Sequence, residues 1–148
     1  MAEAFRGFVD ELRRQLVQLF SQREEKIVIE TQRLVREMGP EKVTIQDIAH
    51  NLKISAGHLG RVYSRTTGQT LEEYLIKQRL EMGKRLLLDP RMHVAEVADR
   101  CGFCNPAYFA SVFKKHMHCT PRAYASRPQQ FSAHEAATQH SQSARHGD

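Results

Sequence analysis

The sequence predicts an all-α protein, and three observations lead to that conclusion. Its 148 residues include only eight glycines and five prolines, and long stretches between them are rich in strong helix formers. Apolar residues recur at spacings of three and four, which is typical of helices that bury one face. Several of these stretches begin with Ser, Thr or Asn, the residues preferred at the first position of a helix.

Residues 1–38 are predicted to form a helical segment, either one long helix or two shorter ones. The stretch has no proline and no glycine after Gly7, and Gly39-Pro40 ends it. Five apolar residues follow the 4, 3, 4, 3 spacing of a coiled-coil seam. They are Phe5, Val9, Leu12, Leu16 and Leu19. About two heptads are present, so three interpretations stay open: packing on the chain's own domain, dimerisation, and a linker to a further domain.

The middle of the chain contains an internal repeat. VTIQDIAHNLKISAGHLGRVYSR (43–65) and HVAEVADRCGFCNPAYFASVFKK (93–115) each read as a short helix with one apolar face, a tight turn and a second helix. Ser55 and Asn105 are predicted to cap the second helices. Two helix-turn-helix units are therefore expected in this chain.

The two turns differ in one residue type. Gly102 supplies the positive φ that the sharp turn of the second unit requires, whereas Lys53 stands at that position in the first. Small residues, Ala49 and Ala98, are expected where the two helices of each unit cross. The first turn is therefore predicted to be slightly strained.

A linker helix is predicted between the units, over residues 70–88. Thr70 caps it, and Asp89-Pro90 stops it. After the second unit, Thr120-Pro121 begins a last short helix with Tyr124 turned inward. The linker helix would set the spacing of the two units.

Charge is distributed unevenly along the chain. Residues 1–40 contain seven Lys and Arg against seven Asp and Glu, whereas residues 41–128 contain fourteen against eight. This basic excess favours a polyanionic partner such as nucleic acid. Residues 128–148 are rich in Ser, Gln, His and Ala and are predicted to be a disordered tail.

Several classes of protein are disfavoured by what the sequence lacks. It has no apolar run of about 18 residues and no export signal near Met1, so we expect a cytoplasmic protein that does not contact the membrane. It has no Gly-rich phosphate loop, no strand-turn-helix nucleophile and no paired carboxylates of a cleft. We therefore expect no enzyme activity, no catalytic residue and no cofactor.

Four motifs carry a resemblance to a known family: IQDIAHNLKIS, YLIKQRLEMGKRLLLDP, VAEVADRCGF and YFASVFKKHMHCTPRAY. Through them, residues 27–127 resemble the DNA-binding domain of the AraC/XylS family of bacterial transcription regulators. The resemblance implies seven helices in two helix-turn-helix units, about 27–68 and about 92–127, joined by the linker helix and preceded by the N-terminal helical segment. It also implies two recognition helices that enter adjacent major-groove segments on one face of the DNA.

The recognition helices are expected at about 55–66 and 105–116. Arg61 is predicted to be the main base-reading residue, because Gly57 and Gly60 stand at neighbouring contact positions. The second helix has small residues where longer side chains would read bases, so it is expected to anchor more than it reads. The predicted DNA-binding residues are His58, Arg61, Ser64, Arg65, Asn105, Ala107, Ser111, Lys114 and Lys115.

Double-stranded DNA and RNA polymerase are the expected partners, with a homodimer through the N-terminal helix as a further expectation. One alternative that stays open is a helical protein-interaction adaptor. Another is a thiol- or zinc-responsive regulator that uses Cys101, Cys104, His116 and Cys119. Against a metal site, a single residue separates His116 from His118, and Cys101 occupies an apolar position on the packing face. No metal is therefore expected.

Overall fold

The computed structural model describes residues 1–126, and within them the chain forms seven α-helices and no strand. The helices are α1 (Ala2–Met38), α2 (Ile45–Asn51), α3 (Ala56–Thr67), α4 (Leu71–Leu86), α5 (Val94–Arg100), α6 (Pro106–Met117) and α7 (Pro121–Ser126). The predicted all-α class is confirmed, with α2–α3 and α5–α6 as the two helix-turn-helix units. The predicted disordered tail, residues 128–148, lies outside the described residues.

The helices group into two compact units that divide within α4. The first unit runs from Met1 to Ile76 and the second begins at Lys77. The first therefore holds α1, α2, α3 and the opening turns of α4. The second holds the rest of α4 together with α5, α6 and α7.

The core of the first unit forms where the last third of α1 packs against α2 and α3. Val35, Ile48 and Leu59 are buried there, and the ring centroid of Tyr63 lies 5.6 Å from that of Tyr74. Burial raises the pKa of Tyr63 above its usual value. α1 packs more extensively against α3 than any other two helices pack against each other, so α3 rests on α1.

Side-chain caps define the start of each helix in the first helix-turn-helix unit. The hydroxyl of Thr44 accepts a hydrogen bond from the N–H of Asp47 at 3.1 Å, and the Asp47 carboxylate accepts one from the Thr44 N–H at 2.9 Å. The Ser55 hydroxyl accepts from the N–H of His58 at 3.1 Å, as predicted for the cap of α3. Lys53 adopts the left-handed conformation with a φ of 56°, so the first turn does hold a non-glycine residue in a strained region.

α4 is two residues shorter at its C-terminus than the predicted helix. Thr70 and Glu73 cap its start reciprocally, as expected from the sequence. The N–H groups of Leu88 and Asp89 bond to carbonyls three residues back, at 3.3 and 3.2 Å, which tightens the last turn. Pro90 disfavours the α conformation of Asp89, the residue before it, so the helix cannot continue up to the proline.

Aromatic side chains fill the core of the second unit. The rings of Phe103, Phe109, Phe113 and Tyr124 follow one another at centroid distances of 5.1, 5.6 and 5.5 Å. Gly102 supplies the predicted positive φ, 79°, at the turn between α5 and α6. Tyr124 is buried, and α7 is held as predicted against this column.

α1 is one continuous helix with two different halves. Its buried residues are Val28, Thr31, Leu34 and Val35. Most large apolar residues of the N-terminal half are exposed instead, including Phe5 at 70%. Within residues 1–126 no helix is long and apolar enough to span a membrane.

Candidate nucleic-acid interface

α3 separates a fully buried face from a face open to solvent. Leu59 and Val62 have no exposed surface, so they anchor the helix in the core of its unit. On the opposite face, His58, Arg61 and Arg65 are exposed and Ser64 is half-buried. The four residues predicted to bind DNA from this helix therefore lie together on its solvent-facing side.

Two glycines give this face a smooth surface beside Arg61. A Cβ atom at Gly60 would meet no other atom within 4 Å, and one at Gly57 would lie 3.6 Å from the Arg61 guanidinium. Neither glycine is therefore required by packing inside the protein, although each costs helix stability. The absence of side chains here leaves space for another molecule to approach the backbone of α3.

Arg65 is held by a residue that the sequence did not point to. Its Nε donates to the Glu24 carboxylate at 3.3 Å, and its Nη2 donates to the other carboxylate oxygen. The two residues are 41 positions apart, so no local pattern links them. Glu24 therefore connects α1 to the end of α3. It also engages two of the nitrogen donors of Arg65, a residue predicted to contact DNA.

α6 has the same two-faced design. The Asn105 side chain accepts from the N–H of Tyr108 at 2.7 Å and caps the helix, while Phe109 and Phe113 are fully buried. The predicted residues of the opposite face are all exposed. These are Ala107, Ser111, Lys114 and Lys115.

Tyr108 is an exposed aromatic residue on this face that sequence reasoning missed. Its side chain is 48% exposed, and its ring lies 5.9 Å from that of Phe103, at the end of the aromatic column. The spacing of three and seven residues to Ser111 and Lys115 places these side chains along one side of α6. That spacing was the available signal.

Both recognition faces carry exposed cations that form no ion pair within the described residues. Arg33, Arg91 and Arg100 each form an ion pair with a nearby carboxylate. Arg61 and the two lysines of α6 form no ion pair within residues 1–126. Arg61 and these lysines therefore present positive charge that no ion pair of the described chain holds, whereas Arg65 on the same face as Arg61 is paired with Glu24.

The three cysteines, all within the described residues, differ in how far they are buried and form no disulfide. Cys101 has no exposed surface, as its apolar position predicted, whereas Cys104 is exposed and Cys119 is half-buried. Burial raises the pKa of Cys119, which disfavours its reactive thiolate. In residues 1–126, no group of three His, Cys, Asp or Glu side chains could hold a metal ion.

Comparison with known proteins places these helices among transcription regulators. Residues 48–127 match the family model described as a helix-turn-helix domain. A transcriptional activator, RhaR, from Mannheimia succiniciproducens is 35% identical over 83 residues, which cover 56% of this chain and 30% of that protein. The chain thus spans about a third of the length of RhaR and of the Msm operon regulatory protein of Streptococcus mutans.

Two solved structures share the fold. The DNA-binding domain of AdpA, a global transcriptional factor crystallised with target DNA, is similar with a TM-score of 0.60 and 29% identity, over 69% of this chain and 96% of that one. An AraC-type regulator from Chromobacterium violaceum gives a TM-score of 0.64 at 24% identity, over 72% and 95% of the two chains.

Proposed function

The chain belongs to the AraC/XylS family of DNA-binding transcriptional regulators, and from this premise we propose that α3 and α6 enter adjacent major-groove segments of an operator. Members of this family regulate transcription and are generally not enzymes. The operator-binding domain would extend over residues 27–127, with the two units on either side of the linker helix.

The observation that carries this proposal is the pair of exposed cationic helix faces. Arg61 on α3 and Lys114 and Lys115 on α6 are exposed and form no ion pair among residues 1–126 that would have to break before they contact phosphate or base edges. Cations placed in this way attract the DNA backbone and release its counterions. A protein-interaction adaptor would have no need for two such faces on structurally equivalent helices.

The two helices would have different tasks. Arg61 reads bases, because a guanidinium can bond two acceptors of guanine at once, and the glycines beside it let the backbone approach the DNA. His58, Ser64 and Arg65 position the sugar-phosphate backbone around it. On α6 the lysines anchor the helix, while small contacts come from Asn105, Ala107 and Ser111.

Further partners follow from regulation of transcription. We propose RNA polymerase as a protein partner and a second copy of the chain as a partner of the N-terminal half of α1. The cytoplasm, where bacterial DNA is found, is the proposed location.

Selection of bound fragments from random duplex DNA tests the proposal. We expect two half-motifs about one helical turn apart, and binding that weakens steeply as salt increases. Arg61→Ala should weaken binding to the selected sequence by about 1–3 kcal/mol and relax one base position.

The matched control is Arg14→Ala, which removes an exposed guanidinium from α1, away from the recognition face. It should leave specificity unchanged. An equal loss on every sequence after Arg61→Ala would assign Arg61 to the phosphates alone. If the affinity for DNA did not fall as the salt concentration increased, the proposed function would be contradicted and a protein-interaction adaptor would be favoured.

A further inference from the structure

The N-terminal half of α1 exposes more apolar surface than the DNA-binding function explains. Between residues 5 and 20, seven large apolar side chains are 43% exposed or more. They are Phe5, Phe8, Leu12, Leu16, Val17, Leu19 and Phe20. Monomeric proteins rarely expose contiguous apolar surface on this scale, so this half of α1 has the character of an interface.

Most of these side chains fall on one seam of the helix. Phe5, Leu12 and Leu19 occupy d positions of a heptad pattern, and Val9 and Leu16 occupy the a positions between them. At 3.6 residues per turn, the seam lies roughly a quarter of a turn around the helix from the mean direction in which α1 buries Val28, Thr31, Leu34 and Val35. Its leucines stay exposed, so the seam is free to receive another helix.

We propose that a second copy of this chain covers the seam, with the two α1 helices parallel in a short two-stranded coil over about residues 2–22. The pattern matches itself, since Val9 and Leu16 at the a positions, with two leucines and Phe5 at the d positions, suit a parallel pair. Its consequence for DNA rests on the proposed function: two DNA-binding domains would approach one operator together.

The charges that flank the seam favour the parallel orientation. Arg6 and Arg13 occupy e positions. In an antiparallel pair, Arg6 of one copy would lie beside Arg13 of the other, and the two positive charges would repel each other. In a parallel pair Arg13 lies beside Phe8 of the second copy, where a cation can rest on an aromatic ring.

The C-terminal limit of the coil also follows from the sequence pattern. The next a and d positions after Leu19 are Arg23 and Lys26. In a parallel pair each of these cations would face the same cation of the second copy. The like charges repel, so the helices would separate there. Separation at this point leaves Glu24 available for its ion pair with Arg65.

A coil of about two heptads is weak by itself, so the dimer should form mainly on DNA. Two domains bound to neighbouring sites hold their α1 helices at a high effective concentration, which can strengthen binding about 10²-fold or more. A parallel pair has a two-fold axis along the coil, so the two sites should form an inverted repeat.

The experiment compares one variant with a matched control on the full chain. Leu12→Gln/Leu16→Gln removes two seam residues, and Ile29→Gln removes an apolar side chain of α1 that is 61% exposed but lies off the seam. Binding is measured on duplexes with one copy of the selected sequence and with two inverted copies. Sedimentation of the free protein is followed as its concentration increases.

We expect wild type and Ile29→Gln to bind the inverted pair at least about tenfold more tightly than the single site, and the seam variant to lose that advantage. Binding of the seam variant to the single site should be unchanged. Equal cooperativity in all three proteins, or a wild type that is monomeric at every concentration and binds the pair without cooperativity, would overturn the inference. Failure to bind any DNA would instead reject the proposed function, and sedimentation would still test the dimer.

Orientation is tested by a disulfide. Leu19→Cys, placed in a Cys104→Ser/Cys119→Ser background, should oxidise to a covalent dimer, because parallel d positions face each other. In the antiparallel register that fills the same seam, the two introduced thiols would be roughly 25 Å apart along the axis. Ile29→Cys in the same background should not cross-link. A dimer in solution without the cross-link at residue 19 would overturn the parallel orientation.

Discussion

Gly60→Ala should stabilise the protein and weaken its binding to DNA. Gly60 lies inside α3, where glycine costs about 1 kcal/mol relative to alanine. The added Cβ would meet nothing within 4 Å, so no strain offsets the gain. We expect an increase of about 0.5–1 kcal/mol in the free energy of unfolding, and a rise of about 4 °C in Tm.

Affinity should move in the opposite direction, because the proposed interface brings the DNA close to the α3 backbone at this position. A methyl group there would separate the two surfaces and change the reach of Arg61. We expect about a tenfold loss on the selected sequence, which corresponds to about 1.4 kcal/mol. Thermal unfolding and DNA titration of the same preparation measure both quantities.

Gly83→Ala is the matched control for the stability part. Gly83 is also a helical glycine, but a Cβ there would lie 3.2 Å from two ring carbons of Phe109 and 3.4 Å from the Cys101 sulfur. Overpacking of about 1–3 kcal/mol should cancel or exceed the gain in helix propensity. If Gly60→Ala destabilised the protein as Gly83→Ala does, the open face of α3 would be refuted. If it stabilised the protein and left DNA affinity unchanged, Gly60 would lie outside the interface.

Three further substitutions test other parts of the molecule. Lys114→Ala should lower affinity for all sequences alike and reduce the slope of log affinity against log salt by about 1, which titration at several salt concentrations measures; an unchanged slope would remove Lys114 from the interface. Glu24→Gln should tighten DNA binding about twofold, because phosphate no longer competes with a carboxylate for Arg65, whereas weaker binding would mean that Glu24 positions the guanidinium for DNA. Thr44→Ala should lower the free energy of unfolding by about 1 kcal/mol at pH 7 through loss of the α2 cap. The Thr44 hydroxyl lowers the pKa of Asp47, so the stabilisation from this carboxylate is present above about pH 4 and is lost as the pH falls through the lowered pKa. The free energies of unfolding of Thr44→Ala and wild type should therefore differ less at about pH 3 than at about pH 7.

Local features of the fold were predictable because neighbouring residues determine them. Ser55 and Asn105 cap the recognition helices, and Gly102 adopts the positive φ that its turn requires. Cys101 is buried because its place in the apolar period of α5 resembles that of Leu52 in the first unit. Each of these predictions needed only spacing and residue type, which the sequence states directly.

Features that depend on distant contacts were not predictable in the same way. The apolar spacing of residues 5–19 is the same whether the helix packs on its own domain or on another molecule, so only the exposed surface of α1 separates these cases. The ion pair between Glu24 and Arg65 joins residues 41 positions apart. Tyr108 was missed for a different reason, since its spacing to Ser111 and Lys115 places it on the exposed side of α6 and was there to be used.

We propose that the first unit makes most of the base discrimination, because the exposed faces of α3 and α6 differ. On α3 one long guanidinium stands beside two positions without side chains, which suits a directional contact made at close range. On α6 the exposed face carries short side chains and two lysines, and a continuous aromatic column fixes the helix from behind. Lysine contacts phosphate as a point charge and carries little sequence information. Tyr108 is the one large side chain of that face held by the column, so any base preference of the second unit should depend on its ring.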